Sequence, residues 1–387
     1  MKLPIDLKAV IEAATDIESA RNTPVSVSVL IDDSAPGDVA AHVRSAFVGA
    51  GAHARVTVGY FVGPAFSPYE GDDMAVIVAG FSEEAGRRAA EIRAAGVPVM
   101  VVTSMPRLVA DMASAYGNPI PEGDLVAPEG VEGCEAVGDA TCESGDVTGA
   151  HVSVFAGIRA AKSAGTGAAA GSSGAAASSP DVSDAPIPID AAAAAALDRR
   201  MGEWVVAACR EKRLALALSF PFVRRPLSLE AVSATSLQNA GIGLVLFIPG
   251  ADMPLMTLNQ AKMLLQIAAA YGEPMSAARA KELAAIVGGA FACRSVARQV
   301  AGAVPAIGWA VKAGVGYAGT KAMGLAAVEY FERGGNIAGL AGVVSAATAK
   351  ATQIAGDVAA TPAGARVLST VKAAVRQGAA SVLKKTE

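Results

Sequence analysis

The chain has 387 residues, of which 52% are hydrophobic and only 5% aromatic, and it carries a formal net charge of -4. That length and hydrophobic share exclude a disordered protein and suffice for more than one core, with helices packing through small side chains instead of large anchors. Four cysteines (Cys134, Cys142, Cys209, Cys293) lack paired metal spacing and have only His42, His53 and His151 to assist them, so no metal site is expected.

Leu7, Val10, Ile11, Ala14 and Ile17 recur at helical spacing, which predicts an amphipathic first helix and not a targeting peptide. The period then changes. Val25 to Ile31 reads as a buried strand, Val39 to Val48 as a helix, and Arg55 to Phe61 and Met74 to Val78 as further strands. Ser82 caps a helix that Gly96 ends, followed by a strand over Val97 to Thr103, a helix over Arg107 to Tyr116 and a short strand near Asp124 to Ala127. Strands alternating with helices of this length predict an α/β fold with a doubly wound, mostly parallel sheet.

Every charged residue from Met112 to Ala150 is acidic, whereas the region beyond Leu197 has an excess of Lys and Arg. A Gly/Ala/Ser/Pro-rich stretch from Gly165 to Pro188 reads as a linker. Helical patterns follow over Ala191 to Ser219, Leu229 to Phe247, Met253 to Tyr271, Ala277 to Val300 and Ile307 to Phe331, and an Ala-rich tail is interrupted by Thr361-Pro362. The expected organisation is an α/β unit over 1–150, a partly helical linker over 151–196, an all-α bundle over 197–336 and a helical tail over 337–387.

Val29-Leu-Ile-Asp-Asp-Ser-Ala-Pro-Gly-Asp-Val-Ala-Ala41 is a strand, loop and helix where a P-loop would hold nucleotide phosphates. Aligning Gly37 with the second motif glycine puts Asp32 on the first, Asp38 on the phosphate-binding lysine and Val39 on the magnesium hydroxyl. One carboxylate about 4 Å from a phosphate charge costs about 4 kcal/mol at an effective dielectric of about 20. Asp38 is expected instead to be the N-cap of the next helix. Val102-Thr-Ser-Met-Pro106 follows a strand where a GTPase would read guanine with Asn and Asp, and it has neither. No catalytic residue, cofactor-binding residue or cofactor is assigned.

The uncharged run from Ala231 to Ala251 has eight large aliphatic or aromatic residues opposed by Ser233, Thr235, Ser236, Gln238, Asn239 and Pro249. Lys312 and Lys321 interrupt the later apolar run, so neither makes a convincing membrane span. Asp252, Asn259, Gln260, Lys262 and Gln266, with Gln238 and Asn239, form a candidate polar cluster around one helix, turn and helix. It is either a polar pocket or gate, with Asp252 paired to a cation such as Lys262, or a satisfied network that fixes helix register, with Asp252 as a cap. Phe220, Phe222, Arg224 and Arg225 are a candidate membrane or partner contact, and equally the ingredients of an ordinary turn with a solvated basic face.

From about Arg199 to Gly335 the chain resembles the bacterial domain-of-unknown-function family 697, which includes YcjF-like proteins and is often joined to GTPase domains. The resemblance rests on Phe220-Pro-Phe-Val-Arg-Arg, Ile248-Pro-Gly-Ala-Asp-Met-Pro-Leu-Met-Thr-Leu-Asn-Gln, Ala269-Ala-Tyr-Gly, Val304-Pro-Ala-Ile-Gly and Tyr317-Ala-Gly-Thr-Lys-Ala-Met-Gly. It implies an all-helical module, membrane-associated in several relatives, beside a GTPase-like domain, and it brings no catalytic residues. The first half resembles a GTPase-type or generic Rossmann-like fold without the nucleotide motifs. The expected function is a non-enzymatic scaffold or regulator whose helical part meets a protein partner or an anionic membrane surface, with no nucleic-acid role and with homo-oligomer formation left open. The expected location is the cytoplasm, with contact at the inner face of the cell membrane open. The alternative is an integral membrane protein with a channel-like or transport-like bundle.

Overall fold

A computed structural model of the chain describes residues 6–51, 53–61, 71–128, 186–245, 252–284, 286 and 308–347. Cys134, Cys142, Cys293, His151, Pro249 and the Thr361-Pro362 break lie outside the described residues, as do the linker as far as residue 185 and the tail beyond residue 347.

Among the described residues, five strands form one sheet: β1 (Val25–Ile31), β2 (Ala54–Tyr60), β3 (Met74–Val78), β4 (Val99–Val102) and β5 (Leu125–Val126). Their order is β2-β1-β3-β4-β5 and every pairing is parallel. The runs of Val, Ile and Met make this possible, because a parallel sheet with helices on both faces needs apolar side chains at successive positions. Register places Val27, Val29 and Ile31 beside Met74, Val76 and Val78 on one face, and Ala75 and Ile77 beside Val99 and Val101 on the other.

The second face is covered by α3 (Glu84–Ala94) and α4 (Pro106–Ala115), whose Ala85, Ala89, Ile92, Val109 and Ala113 join Ala75, Ile77, Val99 and Val101 in one core. The first face receives α2 (Gly37–Val48) through Val39, Val43 and Phe47. The same core contains Leu197, Met201, Trp204 and Val205 of α5 (Ala191–Ala208), with Leu216 of α6 (Arg213–Ser219) and Phe220 and Val223 around the start of α7 (Pro221–Val245). Composition suggests a separate unit beginning at 197, yet α5 packs as the helix that completes this face of the sheet. Two further bonds hold it there, Arg200 donating to the Ala127 carbonyl at 2.8 Å and the Trp204 indole donating to Asp124 at 3.4 Å, and in the turn that follows Lys212 sits 2.6 Å from Asp73.

A second core lies among helices. It joins α1 (Leu7–Arg21), α8 (Asp252–Ala270), a helix over residues 277–284 (α9) and α10 (Gly308–Glu332), with Val232 of α7. The first helix thus packs away from the sheet that follows it. Val10 and Ala14 are buried in this helical core, and Arg21 donates to the Gly272 and Glu273 carbonyls past the end of α8. Cations at a helix C-terminus satisfy its orphan carbonyls and complement its dipole. Ile337, Leu340 and Val344, at the start of the Ala-rich tail, are buried in the same core.

α7 and α10 run antiparallel and touch closely. A Cβ on Gly324 would lie 2.4 Å from a Val232 methyl, so only glycine permits this crossing. Among the described residues, no helix is long and apolar enough to cross a membrane.

Candidate functional site

In open parallel sheets, ligands bind outside the carboxyl ends of the strands where the strand order reverses, here between β1 and β3. The loops after these strands meet at that point. Asp32, 3% exposed, accepts from the Ser34 amide at 3.0 Å and the Ser34 hydroxyl at 2.9 Å through Oδ1, and from the Gly80 amide at 3.1 Å through Oδ2. Gly80 presses directly on the other loop, because a Cβ there would lie 2.2 Å from the Ser34 carbonyl carbon. The crevice is therefore closed by backbone against backbone, with one carboxylate as the brace.

The remaining phosphate-loop positions are also engaged. Val39 is fully buried in the sheet core. Gly37 is the first residue of α2, and Pro36, not Asp38, occupies the N-cap. The expected cap at Asp38 is corrected by two residues: the helix starts earlier, so Asp38 lies within its first turn. Its Oδ1 accepts from the Val39 amide at 2.8 Å, and its Oδ2 accepts from the Ile189 amide at 3.1 Å. A carboxylate there also complements the positive end of the helix dipole.

Ile189 belongs to an extended segment, residues 186–190, that crosses this end of the sheet. The Ile187 amide donates to the Ser104 carbonyl after β4 at 3.0 Å, and Ile187 and Ile189 are half-buried between exposed prolines. Asp190 then caps α5 by accepting from the Ala193 amide at 2.8 Å. Beneath this strap the Ser104 hydroxyl is buried with no hydrogen-bond partner among the described residues, whereas Thr103 accepts from the Met105 amide at 3.0 Å. His42 and Asp198, 2.8 Å apart, add a polar link between α2 and α5.

The candidate polar cluster divides in two. Asn239, fully buried, donates through Nδ2 to the Thr320 hydroxyl at 3.0 Å and the Met256 carbonyl at 3.3 Å, and its Oδ1 accepts from Asn259 at 3.1 Å. Gln260, 1% exposed, donates to the same Thr320 oxygen at 2.8 Å. These four residues tie α7, α8 and α10 together. Lys262 and Gln266 are exposed on α8, away from this node, because the intervening Met263, Leu264 and Leu265 fill the core. The side chain of Asp252 lies outside the described residues. Thr320 is the member that sequence reasoning missed, since a lone threonine in a small-residue helix gives no local sign of a partner far away in the chain.

The proposed contact surface at 220–225 needs a larger correction. Phe220 is fully buried, and its ring centroid lies 4.9 Å from that of Phe47, with Phe222 5.2 Å from Phe47 on another side. Phe220 belongs to the sheet core and Phe222, half-buried, packs against it, so little apolar surface is left here as an anchor. Arg224 donates to the Ala217 and Leu218 carbonyls at the end of α6, and Arg225 pairs with Glu332 of α10 at 2.5 Å. Beside them a shallow cleft is lined by Pro221, Tyr271, Phe331 and Gly334. Burial, with the Glu332 charge adding to it, pushes the Tyr271 phenol up from its ordinary range.

At the opposite end of the sheet, Cys209 closes α5 and its thiol lies 3.9 Å from the Asp73 carbonyl. Burial, with help from the Asp73 charge, pushes this thiol up to about 12, so it behaves as a small apolar side chain and not as a nucleophile. Among the described residues, no three His, Cys, Asp or Glu side chains converge to hold a metal ion.

The chain matches no family model, no curated protein and no solved structure.

Proposed function

We propose that this chain is a non-enzymatic scaffold or regulatory protein: an α/β part blind to nucleotides joined to an all-α bundle that binds a protein partner or an anionic membrane surface. The observation that carries the reading is the brace at the β1/β3 crevice, where Asp32 joins Ser34 to Gly80 and the two loops touch. A phosphate placed there meets a buried carboxylate and no lysine at the Asp38 position. The strap over residues 186–190 supports the same reading, because its Ile189 amide engages the carboxylate beside the α2 N-terminus, the element such folds use for anions. Kinship with family 697 and descent from a GTPase-like fold belong with this proposal and rest on the motifs quoted above.

Of the two surfaces, a protein partner fits better. Phe220 is buried and Phe222 packs half-buried against the same core, so the 220–225 segment offers little apolar surface to insert, and electrostatics alone gives salt-sensitive membrane contact. Titration calorimetry of the full chain with GTP and with ATP, each with magnesium, tests the nucleotide-blind part. The expected result is no saturable heat in the micromolar range. A saturable isotherm would overturn it.

A further inference from the structure

We propose that two copies of this chain associate through β2, antiparallel across a two-fold axis at Thr57, to make one continuous sheet. Among the described residues β2 pairs with β1 alone, and it lies at the end of the sheet order. Backbone direction decides what its outer edge offers. The His53 carbonyl accepts from Val25, and the Phe61 amide donates to Ile31, both at 3.0 Å. Odd-numbered residues thus bond inward, and by the alternation of an extended strand Ala54, Val56, Val58 and Tyr60 direct N–H and C=O outward.

Soluble proteins blunt such edges with lysine, proline, bulges or short length. β2 has seven residues in unbroken register with β1, contains neither lysine nor proline, and carries a single charge, Arg55, near one end. Val58 is 37% exposed and Tyr60 51% exposed, which is unusual for apolar residues in a strand whose neighbours are buried. Val58 and Tyr60 thus leave apolar surface facing water at the rim of the sheet.

The sequence of β2, Ala-Arg-Val-Thr-Val-Gly-Tyr, is complementary to itself when reversed. Centring the axis on Thr57 pairs all seven residues. Val56 meets Val58 of the second copy and Ala54 meets Tyr60, each pair exchanging two backbone hydrogen bonds through groups that already point outward. On the opposite face Thr57 meets Thr57, and Arg55 meets Gly59, so the only charge on the strand never faces its like. Cross-strand valine and threonine pairs stabilise antiparallel ladders, and like charges directly opposed destabilise them. Moving the axis to Val56 or Val58 leaves strand ends unpaired.

Light scattering on the eluting full chain tests the association, and the expected mass is that of two chains at micromolar concentration. Val58→Lys puts a charge on the outer edge without removing an inward bond, and it is expected to give the mass of one chain with an unchanged far-ultraviolet spectrum. The register has its own readout, independent of that variant's folding. In the central non-hydrogen-bonded pair the Cα atoms stand about 4.5 Å apart, within disulfide reach. Thr57→Cys is therefore expected to form an interchain disulfide on mild oxidation, mapped by mass spectrometry to position 57 in both chains, whereas Ser233→Cys on exposed α7 is not. A one-chain mass for the unaltered protein, a two-chain mass that a folded Val58→Lys variant retains, or no crosslink at position 57 each overturns the proposal.

Discussion

The crevice between β1 and β3 and the node among α7, α8 and α10 both bury polar groups, and they satisfy them with different kinds of partner. Asp32 accepts from the Ser34 and Gly80 amides of two adjoining loops, whereas Asn239 depends on the Asn259 and Thr320 side chains of two other helices. The first is a brace between loops whose geometry the strand order dictates. The second exists only after three helices have docked, so it specifies which helices are neighbours and at what height. A polar group in a core is costly unless paired, and a fully paired one selects a single arrangement.

Breaking the brace at its tightest point carries the largest expected effect. Gly80→Val forces a side chain into the Ser34 backbone and should lower the unfolding free energy by about 4 kcal/mol or more, or prevent folding, as urea titration would register. Asn239→Ala leaves the Asn259 amide without its acceptor and should cost about 2–3 kcal/mol. If it costs nothing, the node does not organise the helices. Asp32→Asn keeps one acceptor but turns an amide donor toward the Gly80 N–H, for which we expect a loss of about 1–2 kcal/mol.

Cys209 sharpens the contrast by testing the seam between sheet and helices. Its folded value is raised to about 12 from an ordinary 9.0, so the stability it contributes is complete below about pH 9 and is lost as pH rises toward 12. The unaltered chain should lose roughly 1 kcal/mol more than Cys209→Ala between pH 8 and pH 10, measured as paired urea midpoints. Equal losses would mean that the thiol is not sealed in the core. Lys8 and Glu12, both exposed on α1, mark the other end of the scale: Lys8→Ala should change stability by less than about 0.5 kcal/mol.

The sheet was legible because its strands are short runs of β-branched residues separated by glycine and proline. Met74–Val78 and Val25–Ile31 fall on the residues expected, and α3 ends at Gly96, whose φ of 82° suits only glycine well. What pattern could not reveal was the wiring between layers. An amphipathic face says that a helix buries something, not what, so α1 on α8 and α5 on the sheet were invisible in their own sequences. The helical run expected over Ala191 to Ser219 is broken at Cys209, because residues 209–212 turn at the end of the sheet where β3 begins and Lys212 reaches Asp73. Conversely, α7 continues through Pro226, a residue that ordinarily stops a helix. Proline removes the N–H that would bond the Phe222 carbonyl, and Gly202 of α5 packs against that oxygen.

At the candidate sites, the acidic phosphate-loop positions were readable as chemistry but not as architecture. The mismatch at Asp32 is visible from residue type, yet its role as a brace depends on Gly80, which carries no signal of its own. Pro186-Ile-Pro-Ile-Asp190 did contain one: prolines alternating with isoleucines describe an extended segment with one apolar edge, and the strap has that form.

The placement of α1 sets an order of events during synthesis. Arg21 and the carbonyl of Glu273 that it caps are 252 residues apart. At a translation rate of about 5–20 residues per second, the first helix waits roughly 10 to 50 s after leaving the ribosome before its docking surface exists. Throughout that interval its apolar side lacks the helical surface it packs on, so this helix settles only after the 252 residues that follow Arg21, as far as Glu273, have been made.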